Sequence, residues 1–214
     1  MSTGSAPQPG HRLGLRERKK MATRQEIGAV AMRLAVERGL ENVTVEDIAT
    51  AANVSPRTFN NYFSSKLEAI SALGIDRAAR IGATLCERPA SEPLWDAITA
   101  AVLEHYDAVQ SPRGQWREGM RRVLLSPAMR GEYLKTNAAM QRTLAEAIAE
   151  RTGLDADLDM LPVVLAGAVT TASQKAVRRW FQADPPVELR SLIAEALSQL
   201  ALAITDAARR IQPA

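Results

Sequence analysis

The sequence predicts an all-α protein in which an N-terminal three-helix helix-turn-helix domain is followed by a larger helical domain. Two observations support this class. Ala, Leu, Arg and Glu dominate, aromatic residues make up 4% of the 214 residues, and no alternating β-branched run indicates a strand. Helix-capping patterns also recur at short intervals between Thr23 and Glu68, which is typical of several short helices in succession.

The first two helices are predicted from their capping residues. The TRQE motif at Thr23 begins a helix whose apolar stripe ends at Gly39. Thr44 and Asp47 open a short second helix. It stops near Asn53, a residue type that tolerates the left-handed conformation of a tight turn.

The third helix follows after a turn of only a few residues. Ser55 is its predicted N-cap and Pro56 its first helical residue, where the missing amide hydrogen costs nothing. Phe59 and Phe63, four residues apart, face inward. A further capping box in SSKLE begins a helix over residues 65–86, so the second and third helices form a helix-turn-helix.

The composition excludes several function classes. The single cysteine, Cys86, excludes an internal disulfide, and His11 and His105 are too far apart in sequence to suggest a metal cluster. We therefore expect no metal and no cofactor. Charge or proline interrupts the apolar runs, and residues 1–10 lack a hydrophobic signal core, so we expect a cytoplasmic protein with no membrane partner.

Positive charge is concentrated in the first third of the chain. Residues 1–66 contain ten Lys or Arg and six Asp or Glu, a balance of +4, whereas the remainder contains 17 and 18, a balance of −1. Six basic residues lie between Arg12 and Arg24, with Glu17 as the one acid. Such a block suits a polyanion, although a solvated tail has the same composition. We predict that residues 1–20 form a basic, partly disordered arm.

The third helix carries forked and flat hydrogen-bonding side chains on its predicted exposed side. The second helix of a helix-turn-helix lies in the major groove of DNA, where such groups match base edges. An isolated pair of Asn residues is more often solvated surface, but the caps, tight turn and basic arm favour DNA. The predicted contacts, with phosphate clamps at Thr44 and Lys66, are Arg16, Lys19, Lys20, Thr44, Ser55, Arg57, Thr58, Asn60, Asn61, Tyr62 and Lys66.

Three segments from Leu15 to about Ala69 form a recognisable motif: LRERKKMATRQEI, TVEDIATAANVSPRTFNNYF and SSKLEAI. The motif resembles that of the TetR/AcrR transcriptional regulators at Thr44, Asp47, Ile48, Ala49, Val54, Thr58, Tyr62, Phe63 and Lys66. The resemblance implies a homodimeric repressor whose C-terminal domain binds a small molecule. Asn60 and Asn61 fall at positions that vary within the family, so the resemblance does not supply an operator sequence.

We place the helix-turn-helix domain at residues 21–67 and a ligand-binding and dimerisation domain at 68–214. Apolar residues at helical spacing over 155–183 and 185–211 form either an intramolecular hairpin or half of an isologous four-helix interface. A palindromic operator needs two reading heads roughly 34 Å apart. We therefore predict a homodimer with an interface of Leu165, Ala172, Ala176, Leu189, Leu192, Ile193, Ala196, Leu197, Leu200, Ala203 and Ile204.

Met and wide aromatic side chains lie between the head and this hairpin. They can line an adaptable apolar cavity or fill a core. With the family resemblance, we predict a small apolar ligand of unknown identity among Trp95, Trp116, Met120, Leu124, Tyr133, Met140, Val164 and Ala168. Four arginines can meet an anionic ligand group or lie on a solvated face: Arg117, Arg121, Arg122 and Arg130.

Our leading prediction is a ligand-responsive, sequence-specific transcriptional regulator, a homodimeric repressor released from a palindromic operator by a small apolar molecule. One alternative is an all-helical lipid- or acyl-binding protein or enzyme with an anion-binding arm. The sequence shows no acid, base or nucleophile constellation, so we predict no catalytic residues and no enzyme. The other alternative is an adaptor that uses the C-terminal hairpin for a different protein.

Overall fold

The computed structural model describes residues 14–107 and 114–211, without the side chains at 107 and 204–211. The predicted interface side chain of Ile204 therefore lies outside the described residues. Within them the chain is helical and has no strand, which confirms the all-α prediction. The α-helices are α1 Leu15–Arg38, α2 Val45–Ala51, α3 Pro56–Asn60, α4 Lys66–Glu87, α5 Leu94–Asp107, α6 Gly114–Leu124, α7 Arg130–Thr152, α8 Met160–Gln182 and α9 Leu189–Ile211.

Helix α1 begins eight residues earlier than the capping motif predicted. The Thr23 hydroxyl donates to the Lys19 carbonyl at 3.0 Å, so Thr23 lies inside the helix and does not cap it. Residues 15–22 are exposed, and the buried stripe of α1 begins at Ile27. The part of the predicted arm at 15–20 is therefore helical and continuous with the domain predicted to start at 21, while residues 1–13 lie outside the described part.

Helices α1, α2 and α3 and the start of α4 form a small domain, here called the head. Its core side chains are almost completely buried, because short helices must share one centre to bury their apolar faces. Gly39 ends α1 with φ 86°, and Asn53 has φ 52° in the turn between α2 and α3, as predicted. The largest core members are Ile27, Leu34, Ile48, Phe59, Phe63 and Ile70.

The remaining helices enclose a second, larger core. Helix α4 packs mainly on α7, α8 packs on α7 and α9, and α5 packs on α4 and α9. Trp180 and Phe181 stand near the end of α8 with ring centroids 4.9 Å apart, and both are buried. Long α4 thus runs from the head into this core and joins the two.

Helix α6 also joins the two cores. Met120 and Leu124 pack against both the head core and the larger core. On another face of α6, Gly119 lies against α1 so closely that a Cβ there would come within 2.5 Å of Val36 Cγ1 and 3.2 Å of the Val36 carbonyl oxygen. Only glycine permits this crossing, so α6 holds the head directly.

Arg151, near the end of α7, satisfies the carbonyls at the end of α4. Its guanidinium donates to the carbonyl oxygens of Leu85 at 3.1 Å, Arg88 at 2.9 Å, Pro89 at 2.7 Å and Glu92 at 3.2 Å. The last carbonyls of a helix have no partner within it. With five N–H donors, the Arg151 guanidinium binds the free carbonyls at the end of α4 and those of the connection to α5 at the same time.

Five predicted interface residues are instead core residues of the protomer. Helix α9 turns its main apolar stripe back onto α5 and α8, so those side chains cannot also reach a second protomer. The corrected residues are Ala176, Leu189, Leu192, Ile193 and Leu197. Leu165, Ala172, Ala196 and Leu200 are half-buried and Ala203 is exposed, so these five remain available.

One described helix, α8, is long and apolar enough to cross a membrane by length and composition, and 33% of its apolar window is buried. This differs from the expectation that charge or proline would interrupt every such run earlier. A single helix of this kind is weak evidence, because core helices of soluble proteins have the same composition. Here α8 packs against α7 and α9.

Candidate nucleic-acid interface

The start of α3 is fixed by the two residues that predicted it. The Ser55 hydroxyl accepts a hydrogen bond from the Thr58 amide at 3.0 Å, and Pro56 is the first helical residue. Phe59 and Phe63 anchor the inner side, with ring centroids 5.8 Å apart. The predicted helix was longer, since α3 ends at Asn60 and the next residues form a turn.

The outer side of α3 and its turn presents the predicted base-reading groups. Arg57, Asn60 and Asn61 are exposed, while Thr58 and Tyr62 are half-buried. The main-chain amide of Asn61 donates to the Arg57 carbonyl at 3.1 Å, so the first residue of the turn continues the hydrogen-bond pattern of the helix. The structure therefore brings a forked guanidinium and two side-chain amides together on one exposed surface, as groove recognition requires.

The exposed start of α1 carries a basic face. Arg16, Lys19 and Lys20 are three and four residues apart, so they lie on one side of the helix. None of them forms an ion pair with another described residue. Three uncompensated cations on a projecting helix are suited to phosphate contacts.

Thr44 is exposed and caps α2, and its predicted phosphate contact stays a prediction. Its hydroxyl donates to Asp47 Oδ2 at 2.8 Å and accepts from the Asp47 amide at 3.1 Å. The Thr44 amide also donates to Asp47 Oδ2 at 2.9 Å, completing the capping box of α2. These hydrogen bonds from Thr44 lower the pKa of the Asp47 carboxyl, with a smaller contribution from Arg38.

The predicted phosphate contact of Lys66 also stays a prediction, and two donors of its ammonium are used within the protein. Its ammonium donates to the carbonyl oxygens of Leu40 at 2.7 Å and Val43 at 2.6 Å, and the side chain is half-buried. The segment after α1 turns towards the start of α4, where its carbonyls lack helical partners. Lys66 satisfies them and ties α4 to the α1–α2 connection.

The cap of α4 uses two serines, not one. Ser65 accepts from the Glu68 amide at 3.1 Å, as predicted, but the Glu68 carboxylate binds Ser64. The Ser64 hydroxyl and amide donate to Glu68 Oε2 at 2.6 and 2.7 Å. The hydroxyl hydrogen bond is the main cause that lowers the pKa of Glu68, against the opposing effect of burial.

An ion pair missed by the sequence analysis holds the head onto α4. Arg24 of α1 pairs with Asp76 of α4, and both side chains are largely buried. The same guanidinium lies 5.1 Å from the centroid of the Phe63 ring. The two residues are 52 positions apart, so no local spacing could have indicated their contact.

Two of the eight predicted pocket residues are exposed on the surface of the protomer. Tyr133 is 48% exposed and donates to Gln174 Oε1 at 2.6 Å, and Val164 is 55% exposed on α8. Both predictions are corrected, because these side chains face outward. The other six are half-buried: Trp95, Trp116, Met120, Leu124, Met140 and Ala168. The first four of these pack against the cores.

A groove of about 450 Å³ lies elsewhere, between α5 and the start of α9. It contains none of the eight predicted residues and is lined by Glu92, Asp96, Thr99, Ala100, Leu103, Glu104 and Arg190. Its lining combines three acidic side chains, Glu92, Asp96 and Glu104, with the apolar Ala100 and Leu103.

Comparison with known proteins identifies the chain. Residues 27–73 match the model of the bacterial regulatory proteins of the TetR family, and residues 92–205 match the MftR C-terminal domain. The HTH-type transcriptional regulator TcmR from Streptomyces glaucescens is 35% identical over 193 residues, which are 85% of this chain and 84% of TcmR. The chain belongs to the TetR family. It is therefore a DNA-binding transcriptional regulator and not an enzyme, as predicted from the sequence.

Solved structures of TetR regulators share the fold. A TetR transcriptional regulator from Rhodococcus sp. RHA1 is 17% identical, with TM-score 0.55, covering 86% of this chain and 97% of that one. FadR from Thermus thermophilus, a TetR-family repressor in complex with lauroyl-CoA, is 22% identical, with TM-score 0.52, covering 83% and 93%. The matched head contains α3 and its exposed residues, which places the predicted reading surface inside the family's N-terminal domain.

Proposed function

We propose that this TetR-family regulator is a cytoplasmic homodimeric repressor that binds a palindromic operator and leaves it when a small, largely apolar molecule binds the C-terminal domain. The observation that carries the proposal is the outer surface of α3. Its exposed Arg57, Asn60 and Asn61 are held over a rigid core by Phe59 and Phe63. Pre-organised side chains lose little conformational entropy on binding.

Base reading and phosphate binding are assigned to different elements. Arg57 donates a fork to guanine, and the amides of Asn60 and Asn61 match adenine. Arg16, Lys19 and Lys20 follow the phosphate backbone from the projecting start of α1, where all three are exposed. Thr58 and Tyr62, both half-buried, support the surface from its edge.

The proposed dimer uses exposed residues of α8 and α9 in place of the predicted interface residues that are buried in the protomer core. Consecutive helices joined by a short connection pack antiparallel, so the start of α8 lies beside the end of α9. Large apolar side chains are exposed there, at Met160 by 73%, Val164 by 55% and Leu202 by 62%. A second copy of the same face covers them with two-fold symmetry and sets the distance between the two heads.

Ligand release requires a ligand that binds one head spacing better than the other. Helices α4 and α6 are suited to transmit such a preference. Both contact the head and the larger core, α4 through Arg24 and Asp76 and α6 through Gly119 and Val36. The lauroyl-CoA of the T. thermophilus relative is a precedent for an effector with a long apolar portion.

The test is a fluorescence anisotropy titration of purified protein against DNA from upstream of its own gene, with unrelated DNA as control. We expect the upstream DNA to bind at least about a thousandfold more tightly at physiological salt. Light scattering on the same sample should give a dimer mass. Equal affinity for both DNAs over a range of salt concentrations contradicts sequence-specific regulation, since charge alone gives that result.

A further inference from the structure

Arg117 occupies a different environment from its neighbour Arg121 on α6. Its Nη2 donates to the main-chain carbonyl of Ala183 at 3.1 Å, and its guanidinium lies 5.8 Å from the centroid of the Trp180 ring. Its Nη1 is buried and has no hydrogen-bond partner among the described residues. Arg121, by contrast, forms two 2.7 Å hydrogen bonds with Glu118.

Arg117 takes part in none of the direct ion pairs in the described part of the chain, although its charge does attract the neighbouring Glu118 carboxylate. Glu118, the next residue, is already engaged by Arg121. That hydrogen bond is the main cause that lowers the Glu118 pKa. A guanidinium offers five donors in a fixed fork, and a buried donor without a partner costs free energy.

We propose that the effector of this regulator carries an oxyanion, such as a carboxylate or a phosphate, and that the anion binds Nη1 of Arg117 beside Trp180. This proposal rests on the proposed ligand-responsive function and adds the chemical class of the effector. The oxyanion supplies the missing hydrogen-bond acceptor, in a charge-assisted hydrogen bond.

The site lies at the edge of the core, within reach of solvent. Ala183 is the first residue of the irregular connection 183–188 between α8 and α9, and residues 184–188 are exposed. Arg117 itself is half-buried, while Trp180 is 2% exposed. An anion can therefore approach Arg117 from the side of the 183–188 connection.

Helix α6 connects this site to the head. Two residues after Arg117, Gly119 lies against Val36 of α1, and Met120 packs on both cores. An anion that draws Arg117 towards the end of α8 acts on the helix that holds α1. Binding at Arg117 is thus positioned to change the orientation of the head.

The test uses two fluorescent probes that share one ring system. 8-Anilino-1-naphthalenesulfonate carries an oxyanion, and N-phenyl-1-naphthylamine lacks it. We expect wild-type protein to bind the sulfonate probe more tightly than the neutral one. Arg117→Gln should weaken binding of the sulfonate probe roughly tenfold to a hundredfold and leave the neutral probe unchanged. Arg122→Gln, an exposed position on the same helix, is the matched control.

Several results would overturn the proposal: no saturable binding of the sulfonate probe, no preference over the neutral probe in wild type, or equal loss of both probes in the Arg117 variant. If Arg117→Gln does not fold, Arg117→Lys keeps the charge and loses the fork, and should retain only part of the preference. Competition by dodecanoate and by dodecyl phosphate distinguishes a carboxylate from a phosphate. If neither dodecanoate nor dodecyl phosphate displaces the sulfonate probe, the proposal is wrong.

Measuring ligand binding and DNA release on the same sample distinguishes failure of the anion site from failure of the proposed function. If dodecanoate or dodecyl phosphate binds in an Arg117-dependent manner but the upstream DNA stays bound, the anion site stands and ligand-controlled release fails. If dodecanol releases the DNA equally well from wild type and from Arg117→Gln, ligand-controlled release stands and the anion site fails.

Discussion

The head and the C-terminal pair α8 and α9 use apolar residues in different ways. In the head, Phe59 and Ile48 are buried, whereas Arg57, Asn60 and Asn61, which are proposed to read DNA, are polar and exposed. Residue type alone therefore separates the core from the proposed interface. In α8 and α9, the core and the proposed dimer face are both apolar. Ile193 is completely buried and Val164 is 55% exposed, although both are β-branched aliphatic residues. A surface that binds a second copy of itself therefore resembles a core in sequence.

The largest expected effect comes from the head core. Phe59→Ala should lower the free energy of unfolding by about 3–5 kcal/mol, because it removes a completely buried ring at the centre of a small core. Urea denaturation followed by circular dichroism measures the loss. Asn61→Ala, at an exposed neighbouring position, should change stability by less than about 0.5 kcal/mol. Equal effects would contradict the separation of core and reading surface.

The second prediction separates core from interface in the C-terminal pair. Ile193→Ala should lower the free energy of unfolding by about 2–5 kcal/mol while the folded protein stays dimeric. Val164→Asp should give a folded monomer, because it places a charge in the proposed interface without disturbing the protomer core. Light scattering and circular dichroism on each variant measure the two properties. A dimeric Val164→Asp protein would show that the interface lies elsewhere.

The third prediction concerns the contact of α6 with the head. Gly119→Ala should cost about 1–3 kcal/mol, since its Cβ would meet Val36 at 2.5 Å and α6 would have to move away from α1. Gly131→Ala on α7 is the matched control, because a Cβ there has nothing within 4 Å. Adding Val36→Ala to the Gly119 variant should restore part of the lost stability. Absence of rescue would show that the crossing is looser than described.

The smallest expected effect is at the capping box of α2. Thr44→Ala should cost about 1 kcal/mol, as loss of an N-cap usually does. Because the pKa of Asp47 is lowered in the folded state, its contribution to stability is present above its ordinary pKa and is lost as pH falls through the folded-state value. The difference between wild type and variant should therefore shrink under acid. A difference that stays constant into strong acid would contradict the assigned hydrogen bonds.

Features that depend on residues close together in sequence were predicted correctly more often than contacts between distant residues. The turn at Asn53 and the cap at Ser55 depend on residues three or four positions away, and both are confirmed. Thr23 shows the limit of such motifs, since the helix continued through its capping pattern. Because α1 is already helical from Leu15, the backbone amides after Thr23 have partners within the helix and need no cap.

Contacts between distant residues were outside the reach of sequence patterns. Arg151 was not singled out, because nothing near it in sequence indicates that it binds carbonyls at the end of α4. Lys66 was assigned to phosphate because a lysine at a helix start suits both roles. The structure places the carbonyl oxygens of Leu40 and Val43 next to its ammonium, and two of its donors bind them. The sequence gives no sign of this contact.

The most direct test of the central claim is the DNA affinity of the double variant Arg57→Ala/Asn60→Ala. Both side chains are exposed, so the fold should be unchanged. In the anisotropy titration, affinity for the upstream DNA should fall to that for unrelated DNA, because non-specific binding relies on the basic residues of α1. A folded double variant that still prefers the upstream DNA as strongly as wild type would contradict the assignment of α3 as the reading helix.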